Sequence, residues 1–165
     1  MKTFAIVTFV LCISISISFA QQLIKIPAST VVVVRSPNEL ASDQLKTGQE
    51  LVLSVAADVM VKGKKVIVAN SPVVALVESA ESSGMVGQAG ELRISFQSTT
   101  AVDGTTIALT GNFFTKGESK TGTSVAVGVI LCPLALLCKG DEGNIAAGAQ
   151  TRALTIGEYE IEVKE

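Results

Sequence analysis

The stretch "GELRISFQSTTAVDGTTIALTG", residues 90–111, decides how the chain is to be read. Leu92, Ile94 and Phe96 alternate with Arg93, Ser95 and Gln97, the two-residue period of a strand with one face buried. Asp103-Gly104 is turn chemistry, and Thr105 to Leu109 resumes a strand, so the stretch predicts a β-hairpin.

Working outward, the same signals recur. "STVVVVRS" (29–36) is a run of β-branched residues, and "QELVLSVAADVMV" (49–61) reads as one longer strand. "KKVIVANSPVVALVESAES" (64–82) predicts two strands broken at Asn70-Ser71-Pro72, because proline cannot donate to a ladder. "GEYEIEVKE" (157–165) alternates strictly, with Glu158, Glu160 and Glu162 toward water and Tyr159, Ile161 and Val163 toward a core. About eight to ten short strands with turns between them predict an all-β fold, a small barrel or sandwich. A short helix or a long loop fits "SPNELASDQLKTG" (36–48). One internal echo stands out. "IKIPASTVVVV" (24–34) and "NIAAGAQTRAL" (144–154) share an apolar residue, a turn of small residues and a strand, as two strands lying side by side to close a sheet on itself would.

The amino terminus, "MKTFAIVTFVLCISISISFAQQ", has Lys2, then an uncharged apolar run, then Ser18-Phe19-Ala20. That is the pattern of a secretory signal peptide over residues 1–20, leaving a single β domain over 21–165. The expected location is exported: periplasmic, outer-membrane-associated or secreted. The charged residues, 13 Lys and Arg against 15 Asp and Glu, are scattered and steer the chain to neither nucleic acid nor anionic lipid. Without Trp, and with Phe96, Phe113, Phe114 and Tyr159 the only aromatics after the signal, the core must be aliphatic.

The chain has no histidine, which removes the usual general base, the commonest zinc ligand and every Ser-His or Cys-His pair. No serine has a lysine three residues on, so the Ser-x-x-Lys alternative is missing too. "GMVGQAG" (84–90) fits neither glycine-rich nucleotide motif and reads as a turn between strands. "KGDEGN" (139–144) gathers Asp141, Glu142 and Asn144, fewer than the six to eight oxygens calcium takes, and reads as a solvated turn. No catalytic residue, cofactor or metal is expected. The acidic residues from which a carboxylate-dependent envelope hydrolase would be built are Glu78, Glu81 and Asp103.

One stretch departs from the strand pattern. "TSVAVGVILCPLALLCKG" (123–140) belongs to an uncharged run between Lys120 and Lys139. As a single helix that run would reach only about 27 Å, and Pro133 stands inside it. A strand followed by a turn of helix or a loop, an apolar hairpin inserted late, fits better. Cys132 and Cys138 can bridge only if the chain doubles back between Pro133 and Leu136, since a disulfide needs Cα atoms within about 7 Å. An exported chain favours that bridge over two free thiols. Val129, Ile130, Leu131, Leu134, Leu136 and Leu137 either complete the core or contact a membrane surface or a protein partner, oligomers included.

The order "IPASTVVVV", "LKTGQELVLSVAADVMVKGKKVIVANSPVVALV", "GQAGELRISF…AVDGTTIALTG", an apolar insertion and "NIAAGAQTRALTI" resembles the β-barrel domain of the core-complex scaffold protein of type IV secretion and conjugation systems (TrbI-like) and other secreted bacterial β-domains. The resemblance spans residues 26–156. It implies a related barrel whose insertion, Val125 to Leu137, meets the outer membrane. The chain departs from that family in having a cleavable signal where the family has a cytoplasmic tail, an inner-membrane helix and a proline-rich linker. The expected function is a non-catalytic envelope module that binds or assembles with partners. The alternatives are an outer-membrane-associated component of a secretion-like complex and the carboxylate hydrolase.

Overall fold

A computed structural model describes residues 22–85, 88–119 and 140–163. Among them are thirteen strands and no helix. They are β1 (Gln22–Ile26), β2 (Val31–Arg35), β3 (Leu40–Ala41), β4 (Glu50–Val55), β5 (Val59–Val61), β6 (Lys64–Ile67), β7 (Pro72–Glu81), β8 (Glu91–Thr100), β9 (Thr106–Thr110), β10 (Asn112–Lys116), β11 (Asn144–Ile145), β12 (Gln150–Thr155) and β13 (Tyr159–Val163).

Six strands form a closed antiparallel barrel. The order runs β8-β7-β4-β2-β12-β9, and β9 returns to β8. Closure is possible because β8 is ten residues long and has two partners on one edge. Ser98 to Thr100 pair with β9, and Glu91 to Ser95 pair with β10. The chain passes from β9 to β10 at Gly111, with φ at 134°. A Cβ there would lie 3.0 Å from the Arg152 carbonyl oxygen and 3.3 Å from the Ala153 Cα, so the close approach of β12 requires glycine. A barrel built this way leaves few unpaired edges for another chain to add to.

The interior is aliphatic, as the composition demands. Val32, Val34, Val55, Val73, Ile94, Ile107 and Ile161 are fully buried. Each such side chain contributes roughly 1.5–3 kcal/mol by leaving water. The Phe96 and Phe113 rings meet edge to face at 5.6 Å and 88°. Leu92, Ile94 and Phe96 point inward, and β13 buries Ile161 and Val163 while Glu160 and Glu162 face water, as their alternation predicts.

The internal echo is a structural repeat. β2 and β12 lie side by side and antiparallel. Around them, β1-turn-β2-turn-β3 and β11-turn-β12-turn-β13 make the same bonds at a constant offset of 119 residues (Ile145 against Ile26). The Ser29 N–H donates to the Thr155 carbonyl and the Gly148 N–H to the Ser36 carbonyl, both at 2.8 Å. The Thr155 N–H donates to the Thr30 carbonyl at 3.1 Å, and the Ser36 N–H to the Ala149 carbonyl at 3.0 Å. Lys25 pairs in register with Glu160 and Ile26 with Tyr159; Asn144 pairs with Ala41 and Ile145 with Leu40. The two units interlock about a pseudo-twofold axis between β2 and β12, each lending its first strand to the other's third.

Two expectations need correction, and one open alternative is decided. The strand count is thirteen because pieces of two and three residues, β3, β5 and β11, join the longer ones. Residues 36–48 hold no helix; they form the loop alternative with β3 inside it. The strand expected over 49–61 is two, β4 and β5. Ala56 leaves the β4 line to donate its N–H to the Val33 carbonyl at 2.7 Å. Asp58 then turns back to accept from the Ala69 N–H at 2.7 Å. β5 and β6 form a separate hairpin around Lys62 and Gly63, both at positive φ. The signal peptide expected over residues 1–20 and the hairpin expected within 123–138 lie outside the described residues.

Candidate functional site

The insertion leaves and rejoins the barrel at one place. Beyond β10 the Gly117 N–H donates to the Gly90 carbonyl at 2.9 Å. On the way back, the Asp141 N–H donates to the Glu118 carbonyl at 3.2 Å, and the Asp141 carbonyl accepts from the Gly90 N–H at 2.9 Å. The Gly140 N–H reaches the Gly84 carbonyl at 3.3 Å. Residues 117–118 and 140–141 therefore run side by side as a stem, packed on the loop between β7 and β8. A Cβ at Gly117 would collide with the Asp141 carbonyl, so the two arms can be this close only with glycine. Gly84 and Gly90, the two ends of the stretch read from sequence as a turn between strands, are the residues to which the stem bonds.

Glu142 follows the stem and is half buried. Its Oε2 accepts from the Ser42 hydroxyl and from the Ser83 N–H, each at 2.8 Å. Its Oε1 accepts from the Ser83 hydroxyl at 2.6 Å. The Ser42 Oγ accepts in turn from the Gly143 N–H at 3.1 Å. Ser42 and Ser83 are 1% and 7% exposed. Glu142 is thus no part of a solvated turn, and that expectation is corrected. One carboxylate joins the loop after β3, the loop after β7 and the returning arm of the stem. Asn144 is bound elsewhere, its Nδ2 donating to Glu39 Oε1 at 2.7 Å. Among the described residues, no three acidic or thiol side chains gather as a metal would need.

The three carboxylates considered for hydrolysis stand apart. Glu78 is the extra residue of a β-bulge, between the pairs Val77–Ile94 and Ser79–Arg93, and lines a shallow cleft with Ser95, Gly111 and Asn112. Glu81 lines a different cleft, with Gln88 and Lys116. Asp103 is committed to structure in the β8–β9 turn. It accepts from the Thr105 N–H and hydroxyl, both at 2.8 Å, and from the Glu162 N–H at 3.0 Å. Burial alone would push its carboxyl up; the Thr105 and Glu162 N–H groups and the Thr105 hydroxyl outweigh burial and hold it below the usual range. That is the opposite of what a general acid needs.

A cleft of about 510 Å³ lies between the β5–β6 hairpin and β13. Met60, Val68 and Val102 line it with Lys64, Lys65 and Glu162. Lys65 is paired with Asp58 at 2.7 Å. That pairing and the two Asp58 hydrogen bonds, from Lys65 and from the Ala69 N–H, hold the Asp58 carboxyl below its ordinary value.

Cys132, Cys138 and the candidate contact residues Val129, Ile130, Leu131, Leu134, Leu136 and Leu137 lie outside the described residues; the structure describes the stem that carries them. Sequence reasoning missed Ser42, Ser83 and Glu142 as a unit. The available signal was glycine beside two of the three: Gly84 after Ser83, and Gly140 and Gly143 about Glu142. No protein-family model and no curated protein matches this chain.

Proposed function

We propose that this chain is an exported, non-catalytic β-barrel module of a bacterial envelope, which assembles with a protein partner through the apolar segment 123–138. The observation that carries this reading is the stem. Six backbone and side-chain bonds bring Glu118 and Asp141 together and tie them to the β7–β8 loop, which fixes both ends of the segment between them. That segment is uncharged and leucine-rich, and anchoring its ends lowers the entropy a partner must remove on binding. The missing histidine, the dispersal of Glu78, Glu81 and Asp103, and the lowered Asp103 carboxyl support a role without bond-making.

The test is expression of the full chain in a Gram-negative host beside a version with residues 121–138 replaced by a short Gly-Ser turn. The wild type is expected in the envelope fraction, in a complex heavier than the monomer. The shortened chain should keep its thermal transition and lose the complex. Retention in the cytosol, or a complex unchanged by the replacement, overturns the reading. Leu134→Asp with Leu137→Asp separates contact from core: a folded but monomeric double variant supports contact, and an unfolded one assigns the leucines to the core.

A further inference from the structure

The pseudo-twofold axis shows where the chain departs from what the barrel requires. Ile24 and Ile161 face each other across β1 and β13, 4% and 0% exposed. At the equivalent positions of the other unit stand Gly143 and Ser42, and Glu142 takes the place of Leu23. An apolar pair satisfies this geometry in one unit. In the other a carboxylate has been brought in and surrounded by three donor bonds, a costlier arrangement than packing two isoleucines. Gly90 completes it, since a Cβ there would lie 2.6 Å from Ser42 Oγ and 2.8 Å from Glu142 Oε2.

We propose that Glu142 is an acid-sensitive latch: its ionised carboxylate fastens the β7–β8 loop and the Ser42 loop to the stem, and its protonation frees them while the barrel stays closed. The chemistry follows from the bonds. Both oxygens are acceptors, and Oε2 takes two donors at once. A neutral acid turns one oxygen into a donor, which then faces a Ser83 N–H that can only donate or a hydroxyl that must give up its present bond. Hydrogen bonds to a charged acceptor are the strong ones, so the neutral form loses most of the hold. The barrel's ladders run through β2, β12, β8 and β9 and do not include Glu142.

Among the described residues, charged neighbours on the surrounding elements are Asp43 after Ser42, Glu81 at the end of β7, Glu91 and Arg93 on β8, and Lys116, Glu118 and Asp141 on β10 and the stem. Other carboxyl groups stand close by, so the assignment to Glu142 needs a variant. Hydrogen exchange of the full chain, corrected for intrinsic rates at pH 7 and about pH 4, reads the latch directly. In the wild type, protection of the Ser83, Gly90, Asp141 and Gly143 amides should fall about tenfold or more in acid, while the Phe96 and Thr155 amides of the barrel stay unchanged. Glu142→Gln should show the low protection already at pH 7 and no further fall. Ser83→Ala, which removes one donor only, should shift the same amides in the same direction by less, and serves if Glu142→Gln does not fold. Unchanged stem protection in acid, or in Glu142→Gln at pH 7, overturns the latch. So does an acid-induced fall that persists in that variant.

Discussion

The amino-terminal unit, β1 to β3, and the carboxy-terminal unit, β11 to β13, make the same bonds with different residues. Ile26 and Ile145 are both buried, as are the hydroxyls of Ser36 and Thr155. The left-handed turn position is Ser29 in one (φ 64°) and Gly148 in the other (φ 82°). Glu39 and Glu158, each just before a third strand, grip Asn144 and Lys25 of the opposite unit, at 2.7 and 2.6 Å. The Glu158 pairing raises Lys25 above its ordinary value. The shared set is small: one isoleucine, one alanine in the turn (Ala28 and Ala147), one residue at positive φ, one buried hydroxyl, one glutamate. Everything else in the two units has been free to diverge, and the divergence is sharpest where Ile24 and Ile161 become Gly143 and Ser42.

The comparison can be broken most severely at that position. Ile161→Ala empties a fully buried site and should cost about 2–5 kcal/mol in urea unfolding. Its counterpart Ser42→Ala removes one hydroxyl and should cost nearer 1 kcal/mol. Equal losses would mean that the two units are not equivalent in the way their register implies. The turn position comes next. A Cβ at Gly148 meets nothing within 4 Å, so Gly148→Ala tests φ alone and should lower stability by about 1 kcal/mol. Ser29→Gly should be neutral or raise stability by a few tenths, and calorimetry of the two variants gives opposite signs of shift in Tm if both turns are left-handed.

Asp103 ties the β8–β9 turn to β13 and has no counterpart in the repeat. Asp103→Asn should cost about 1 kcal/mol at neutral pH, at the low end because the turn is open to solvent. Because the folded carboxyl lies below its free value of 3.8, its contribution is complete above that value and fades as pH falls through the lower folded one. The variant's acid-unfolding curve should lack that component. The smallest effect sharpens the likeness: Asn144→Lys would copy the Lys25–Glu158 pair onto Glu39 and should add no more than about 0.5 kcal/mol, lost at high salt.

What sequence could convey depended on range. The β8–β9 hairpin was legible because its signals, alternation and Asp103-Gly104, are local. The pairing of β2 with β12 was legible because both strands follow a turn of small residues in the same frame. The break at Ala56 was not, because what draws that residue out of line is the carbonyl of Val33 in a distant strand. Glu142 looked like turn filler because its partners are 59 and 100 residues away. Nothing in "KGDEGN" marks which of its acids faces inward; only the assembled loops do.

Strand β1 finds its partner in β13, with Gln22 opposite Val163. β1 therefore has no strand to pair with until β13 has been made. This ladder must await β13, and pairing between strands so far apart in sequence forms slowly.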